Sequence, residues 1–491
     1  MKRYVALLSA CLLSLFLIAC GSGGSSGPTV TSGGNTVPGG NGGGDVPPAS
    51  PPSTTPTSTA TLQSVNHIVF MLQENRSFDN YFGQLNAYRA SLGLAQDADD
   101  LVKPLEPINP NPTHDGSTCP GSPNGTCLPY KMKSSCIEDL SPSWNEAHVD
   151  LTDNLSSKVQ MNGFAHTAGG YAASGGAGAS IDVAGKRAMG YYDSTQLNYY
   201  YFMATQFATS DRFFSPLLTK SEPNHLFGLA GTSQGWINVP TAQLSAPTIF
   251  NLLQKAGISW KVYYTDTNKA TGKPDTYISY FSPMTPFLTD PTKLAPLSEY
   301  YTDLQNGTLP AVVLIDAGRD SGKDEHPLNN IVPGVEAAET VINAFMNSTA
   351  YNDGVFILTW DEGGGMYDHV PPVPAVNPDG IGPCIAGGNP VCADANVLTT
   401  FGDNFTLTGF RLPLIVVSPW AKSGFISHTS MDYTAILKFI ETRFGLPNLT
   451  LRDQAQPDMT EFFDFVNTPN ATPPSAPPVQ VNMPCYYNTL P

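Results

Sequence analysis

The residues best placed for chemistry are acidic ones that follow at once on apolar runs. Residues 67–73 are mostly apolar and lead straight into Glu74-Asn75-Arg76-Ser77-Phe78-Asp79. Residues 355–360 repeat the layout and run into Asp361-Glu362-Gly363-Gly364-Gly365. Short apolar runs rich in β-branched and aromatic residues read as buried strands. Each would deliver hard oxygen ligands to its carboxyl end, the edge at which open α/β sheets bind ligands. Oxygen donors of this kind suit a divalent metal ion, and a metal ion suits a phosphate ester. The plainer reading of Glu74 and Asp361 is a helix cap or surface turn, where acidic residues are common. Gly363 to Gly365 read as backbone clearance beside the site, because no Gly-Lys-Ser/Thr follows them to make a phosphate-gripping loop.

The elements that must carry these residues alternate along the chain. A helix is expected to start at Ser77, and residues 84–139, rich in Pro, Asn and Gly, read as a long loop region. Residues 168–178 form a Gly/Ala/Ser run that reads as another loop, and the aromatic-rich residues 190–207 read as helical. Residues 311–316 form a strand pattern and 334–347 a helix pattern, and the strand from Val355 follows. Residues 377–404 are a Gly/Pro-rich insertion, 414–417 a further short strand, and 431–444 a helix with Ile436, Leu437, Phe439 and Ile440 at helical spacing. This alternation predicts an α/β fold, a mostly parallel central sheet with helices on both faces and long loop insertions, over one large domain spanning residues 62–491. The cluster Tyr192, Tyr199, Tyr200 and Tyr201 could cage a quaternary ammonium, but core packing is the plainer expectation.

Charge narrows the partners. The 24 Lys and Arg stand against 41 Asp and Glu, a formal net charge of -17, which disfavours nucleic acid and opposes a free phosphate unless a local positive centre such as a metal ion receives it. Residues 1–20 have the basic, apolar and small-residue parts of an export signal and are too short for a comfortable membrane span. Leu17-Ile18-Ala19-Cys20-Gly21 resembles the lipobox of bacterial lipoproteins, which would make Cys20 a lipidated membrane anchor; an ordinary cleaved signal is the alternative. Residues 21–61 are almost wholly Gly, Ser, Pro, Thr and Asn and read as a disordered tether. Apart from Cys11 and Cys20, six cysteines remain. Three disulfides are expected in an exported chain, with Cys119–Cys127 and Cys384–Cys392 as natural local pairs and Cys136–Cys485 left over, other connectivities staying open. No Cys-x-x-Cys spacing points to zinc.

Glu74-Asn75-Arg76-Ser77-Phe78-Asp79 with Tyr81-Phe82-Gly83 resembles the opening signature of the bacterial phosphoesterase family that contains non-haemolytic phospholipases C and related acid phosphatases. Further motifs stand in that family's order: Ser221-Glu222-Pro223-Asn224-His225, Asp324-Glu325-His326-Pro327, Asp361-Glu362-Gly363-Gly364 with Tyr367-Asp368-His369, and Arg411-Leu412-Pro413 to Ser418-Pro419-Trp420. The likeness spans about residues 65–465. It implies an alkaline phosphatase-like fold, Ser221 as nucleophile, and one divalent metal ion of unknown identity held by Glu74, Asn75, Ser221, Asp361 and Glu362. It further implies His326 and His148 as hydrogen-bond donors to the phosphoryl group and acids toward the leaving alcohol, and Asn224 and His225 as substrate-binding.

Two departures stand out. Pro142 occupies a place where many relatives have a histidine, and His225 a place where many have arginine, which exchanges a permanent cation for a group titrating near about pH 6.5. Asp368 and His369 fit structural support and direct chemistry equally well. The expected function is a phospholipase C-like hydrolysis of phospholipid or another small phosphate ester through a phosphoserine. The alternatives are a broad-specificity phosphomonoesterase and a catalytically silent surface-binding lipoprotein.

Overall fold

A computed structural model describes residues 60–152, 159–178, 181–318, 321–384, 402–480, 483–488 and 490. The leader, Cys20, nearly all of the tether, Cys392 and most of the 377–404 insertion lie outside the described residues. Eight strands form the central sheet: β1 (His67–Gln73), β2 (Ala208–Ser210), β3 (Trp260–Tyr264), β4 (Leu294–Pro296), β5 (Val312–Asp316), β6 (Gly354–Trp360), β7 (Leu414–Val417) and β8 (Phe425–Ser427). Their spatial order is β8-β2-β7-β6-β1-β5-β3-β4. Every strand runs with β1 except β7, which lies antiparallel to both of its neighbours, β6 and β2. The mostly parallel α/β sheet is thus as expected, and the reversed β7 is an addition that the pattern of apolar residues does not encode.

The central strands have no exposed face. All residues of β5 and β6, and all of β1 except His67, are buried, which explains why they read as continuous apolar runs without alternation. Ten helices matter to the site or its support: α1 (Phe78–Phe82), α2 (Leu85–Ser91), α3 (Trp144–Leu151), α4 (Phe164–Ala173), α5 (Asn198–Gln206), α6 (Ser221–Ala230), α7 (Ile249–Ala256), α8 (Leu297–Asn306), α9 (Ile331–Met346) and α10 (Thr434–Phe444). Among the described residues, no helix is long and apolar enough to cross a membrane.

Three expectations change. The 168–178 run is not a loop at its start, because α4 continues to Ala173. Its small residues are there for contact: a Cβ on Gly169 would lie 2.4 Å from the His114 Cβ and 2.6 Å from the Val183 carbonyl oxygen. Within 190–207 the helix begins only at Asn198, and within 84–139 the chain forms α2 and a short ladder of Asn111–Pro112 with Thr126–Cys127. That ladder is stapled by Cys119–Cys127, while Cys136–Cys485 closes a separation of 349 residues. Cys384 is disulfide-bonded as well. The long-range bridge fastens the C-terminal segment beside Ser134 and Ser135, both of which donate to the Pro484 carbonyl. Replacing both Cys136 and Cys485 by Ser should lower stability to urea by about 2–4 kcal/mol and expose the chain near Pro484 to limited proteolysis.

Candidate active site

Strand register brings the two acidic motifs together. β1 and β6 pair with Gln73 opposite Trp360, so the next residue of each strand, Glu74 and Asp361, must emerge side by side. Asp361 N donates to the Gln73 carbonyl at 2.9 Å, and Asp361 Oδ1 accepts from Asn75 N at 2.8 Å. Asn75 adopts φ 60, a left-handed turn that asparagine tolerates, and this redirects the chain across the strand ends. Gly364 closes the other side. It has φ +68, and a Cβ there would sit 2.5 Å from the Asn75 carbonyl oxygen, so the glycine run provides close approach as expected.

Ser221 enters from α6. It is the first residue of that helix, followed by Pro223 inside the first turn, where a missing N–H costs nothing. Ser221 Oγ donates toward Glu74 Oε2 and Asn75 Oδ1, 3.1 Å from each. Segments 147 and 146 residues apart therefore meet at one hydroxyl. Asn224, expected to bind substrate, does something else: it is fully buried, its Oδ1 accepts from Leu217 N, and its Nδ2 donates to the Leu217, Thr219 and Lys220 carbonyls. It shapes the loop that presents Ser221. His225, the other residue expected at the substrate, lies one helical turn beyond Ser221 and faces Glu74 Oε1 at 3.3 Å.

The donor set fits a cation. Asp361 Oδ2 and Glu362 Oε1 are buried and have no hydrogen-bond partner, although the other oxygen of each carboxylate is engaged by backbone N–H groups. Burial first, and then the neighbouring Glu74 charge, push both carboxyls well above the ordinary range. Burial acts most strongly, to raise Glu74, yet the His225 hydrogen bond and charge, with His326 and an Asp361 hydrogen bond, together hold it well below that range. Crowded, half-satisfied carboxylate oxygens of this kind are what a divalent ion neutralises.

A cavity of about 330 Å³ opens beside Ser221. Its walls include Glu74, Asn75, Asp139, Pro142, Tyr171, Lys220, Glu222, Asp324 and His326. His326 is set by its other nitrogen: Nδ1 donates to the Pro327 carbonyl at 2.8 Å, so the exchangeable position is Nε2. Asp324, pushed up to about 6 by burial and then by Glu74, accepts from His326 N at 3.1 Å. Asp139, Lys220 and Asp324 were missed as wall residues; only the adjacency of Lys220 to Ser221 and of Asp324 to His326 signals them in sequence. His148, expected to act on the phosphoryl group, lies apart from the described lining residues. Its Nδ1 donates to the Trp144 carbonyl at 2.6 Å, its Nε2 faces Asp403 Oδ2 at 3.3 Å, and its ring lies 4.3 Å from the Trp144 ring. Both ring nitrogens already face protein acceptors.

Two buried networks brace the site. Asp368 and His369 take the structural role: His369 Nδ1 meets Asp79 Oδ2 at 2.6 Å, its Nε2 meets Asp99 Oδ1 at 2.9 Å, and Arg411 reaches Asp79 at 3.0 Å and Asp368 at 2.8 Å. The Arg411 guanidinium and the His369 imidazolium already supply the positive charge that Asp79 and Asp368 would otherwise draw from a metal ion. The second network surrounds Glu325, whose carboxylate accepts from Tyr81, Tyr200, Trp360 and Gln73. Burial raises it to about 7. Tyr192, Tyr199, Tyr200 and Tyr201 are all fully buried, so the tyrosine cluster is core.

The chain is similar to known proteins. The Phosphoesterase family matches residues 65–447. Phospholipase C A and phospholipase C B of Mycobacterium tuberculosis (strain ATCC 25618 / H37Rv) are 30% and 29% identical, each match covering 84% of this chain and 80% of the relative. The non-hemolytic phospholipase C of Pseudomonas aeruginosa is 27% identical over 85% of this chain and 59% of its own length. Among solved structures, a protein in the alkaline phosphatase superfamily from Vibrio parahaemolyticus overlaps 76% of this chain and 78% of that chain at 13% identity, with a TM-score of 0.32.

The His369 network has a pH signature. Burial alone would lower the imidazolium's stability, but Asp79 and then Asp99 raise the group to about 9. A folded value above the unfolded one, about 6.5, contributes stability that is complete below about 6.5 and lost as pH rises through 9. The stability difference between the native chain and His369→Gln, measured by urea unfolding, should therefore shrink by about 3 kcal/mol between pH 6 and pH 9.5.

Proposed function

Because the chain belongs to the phosphoesterase family, we propose that it is an exported, metal-dependent phosphoric ester hydrolase of phospholipase C type, cleaving phospholipid on the glycerol side of phosphate through a phosphoserine. The observation that carries this reading is the meeting of Ser221 Oγ with Glu74 and Asn75 at 3.1 Å, beside the unpartnered oxygens of Asp361 and Glu362.

A divalent cation held by Glu74, Asn75, Ser221, Asp361 and Glu362 would supply the positive charge that ionises a serine hydroxyl near neutral pH and draws phosphate into an acidic wall. The hydroxyl proton is directed at the Glu74 and Asn75 oxygens, which leaves the lone pairs of Oγ for the cavity. Ser221 Oγ gives up that proton to solvent water and attacks phosphorus in line, and the bond to the departing alcohol breaks. His326 Nε2 gives that alcohol its proton, since Nδ1 is committed to Pro327. Water then cleaves the phosphoserine and returns a proton to Nε2. Asn224 holds the loop before Ser221, and the Glu325 network holds the loop carrying His326.

The wall favours a diester. Glu74, Asp139, Glu222 and Asp324 face Lys220 and His326, an acidic balance that repels a dianionic monoester more than a monoanionic diester. The names of the mycobacterial and Pseudomonas relatives support the same choice. The leader, lipidation at Cys20 and the 21–61 tether belong to this proposal as the route to a membrane surface, and the disulfides support a location outside the cytoplasm.

Ser221→Ala should fold normally and lose at least roughly three orders of magnitude in kcat. Hydrolysis of p-nitrophenyl phosphorylcholine should exceed that of p-nitrophenyl phosphate and stop with chelator. Turnover of the monoester alone would move the reading to a phosphatase, and no turnover of either to a binding protein.

A further inference from the structure

Ser221 and His225 stand four residues apart at the start of α6, so both point to the same face, and that face meets the acidic strand ends. The two residues bracket Glu74: Ser221 Oγ is 3.1 Å from Oε2, and His225 Nε2 is 3.3 Å from Oε1. The same Nε2 lies 3.7 Å from Asp361 Oδ2, the buried oxygen that has no hydrogen-bond partner. We propose that His225 Nε2 is a ligand of the metal ion, giving this chain a mixed nitrogen and oxygen shell that selects a borderline transition ion such as zinc over magnesium or calcium.

The spacing suits shared coordination. Two donors each about 2.1 Å from one ion stand roughly 3.0–3.4 Å apart at octahedral or tetrahedral angles. The distances of Ser221 to Glu74, Ser221 to Asn75 and His225 to Glu74 fall in that range, and His225 to Asp361 lies just beyond it. The imidazole is also held in place. It stacks on Tyr277 with ring centroids 3.6 Å apart and planes 6° from parallel, and the Tyr277 hydroxyl donates to Glu74 Oε1 at 3.1 Å. A ring clamped in this way cannot swing into the large cavity, whose described lining does not include it.

The chemistry of the position points the same way. Arginine could only pair with Glu74 and would add a permanent cation where an ion must sit. Histidine offers a neutral lone pair, and imidazole suits zinc, copper, iron and nickel, whereas magnesium and calcium prefer oxygen. This inference rests on the metal-dependent reading above, and its test is chosen to fail separately from it.

Metal-free full-length protein is titrated calorimetrically with Zn2+, Mn2+ and Mg2+, and Mn2+-loaded protein carrying 15N-histidine is examined by pulsed EPR. The native chain should prefer Zn2+ over Mg2+ and, with Mn2+ as the spectroscopic probe, show a directly bonded nitrogen, and His225→Gln should weaken Zn2+ binding by at least about tenfold and remove that nitrogen signal. His326→Gln should keep it. If His225→Gln does not fold, the nitrogen signal in the native chain and its persistence in His326→Gln still decide. Ion binding without a nitrogen signal overturns the ligand assignment and leaves the metal-dependent hydrolase standing. No binding of any of these ions overturns both.

Discussion

Three carboxylates buried within one sheet edge are the constraint from which the site follows. Glu74, Asp361 and Glu362 are at most 2% exposed, and two of them keep an oxygen without a partner. Each buried carboxylate carries an effective desolvation cost of several kcal/mol, and two like charges about 4 Å apart repel by about 4 kcal/mol at the effective dielectric of a protein. A chain under no functional demand would replace such a cluster with apolar residues. Here the surrounding fold holds the oxygens in position, in an arrangement that could receive a positive charge among them.

The means of holding them are backbone devices more than side-chain ones. The β1–β6 register sets Glu74 beside Asp361, the left-handed turn at Asn75 and the tight approach of Gly364 lock the loops together, and Asn224 ties down the segment before Ser221. Farther out, the Arg411 and Glu325 networks fix the loops that follow the strands. Arg411 is fully buried and binds Asp79, Asp368 and the Asp99 and Asp211 carbonyls, so it joins α1, the loop after β6 and the approach to β7.

The parts of this arrangement that were legible in sequence are those written in local pattern. Apolar runs ending in Glu74 and Asp361 disclosed both the strands and the ligands, because burial on both faces erases alternation and a charged residue marks the strand end. The Cys136–Cys485 bridge emerged from pairing the closer cysteines first. What stayed hidden depends on tertiary contact. The Ala/Gly run in α4 looks like a loop, yet its small residues serve packing against residues 183–185. The direction of β7 is set by what precedes it in space, and nothing in the residues 414–417 encodes it. Asp139 and Asp324 reach the cavity only because Cys136 and the β1 end hold their loops there, as the bond from Glu74 N to the Asp324 carbonyl illustrates.

Histidine gives the sharpest case of this division. His148, His225, His326 and His369 all stand in motif positions, and resemblance gives them roles without disclosing the partner of either ring nitrogen. Their environments separate them through the partner taken by each ring nitrogen. His369 spends both nitrogens on Asp79 and Asp99, so it is a fixed buried cation. His148 faces the Trp144 carbonyl and Asp403, which leaves it to hold the 402–405 segment against α3. His326 commits Nδ1 to the carbonyl next to it in the chain and lines the large cavity. His225 instead offers Nε2 to a crowd of carboxylate oxygens while Tyr277 fixes its plane. A ring that must donate and accept in turn needs one free nitrogen facing solvent or substrate, and among these four His326 alone has been assigned to the large cavity's wall.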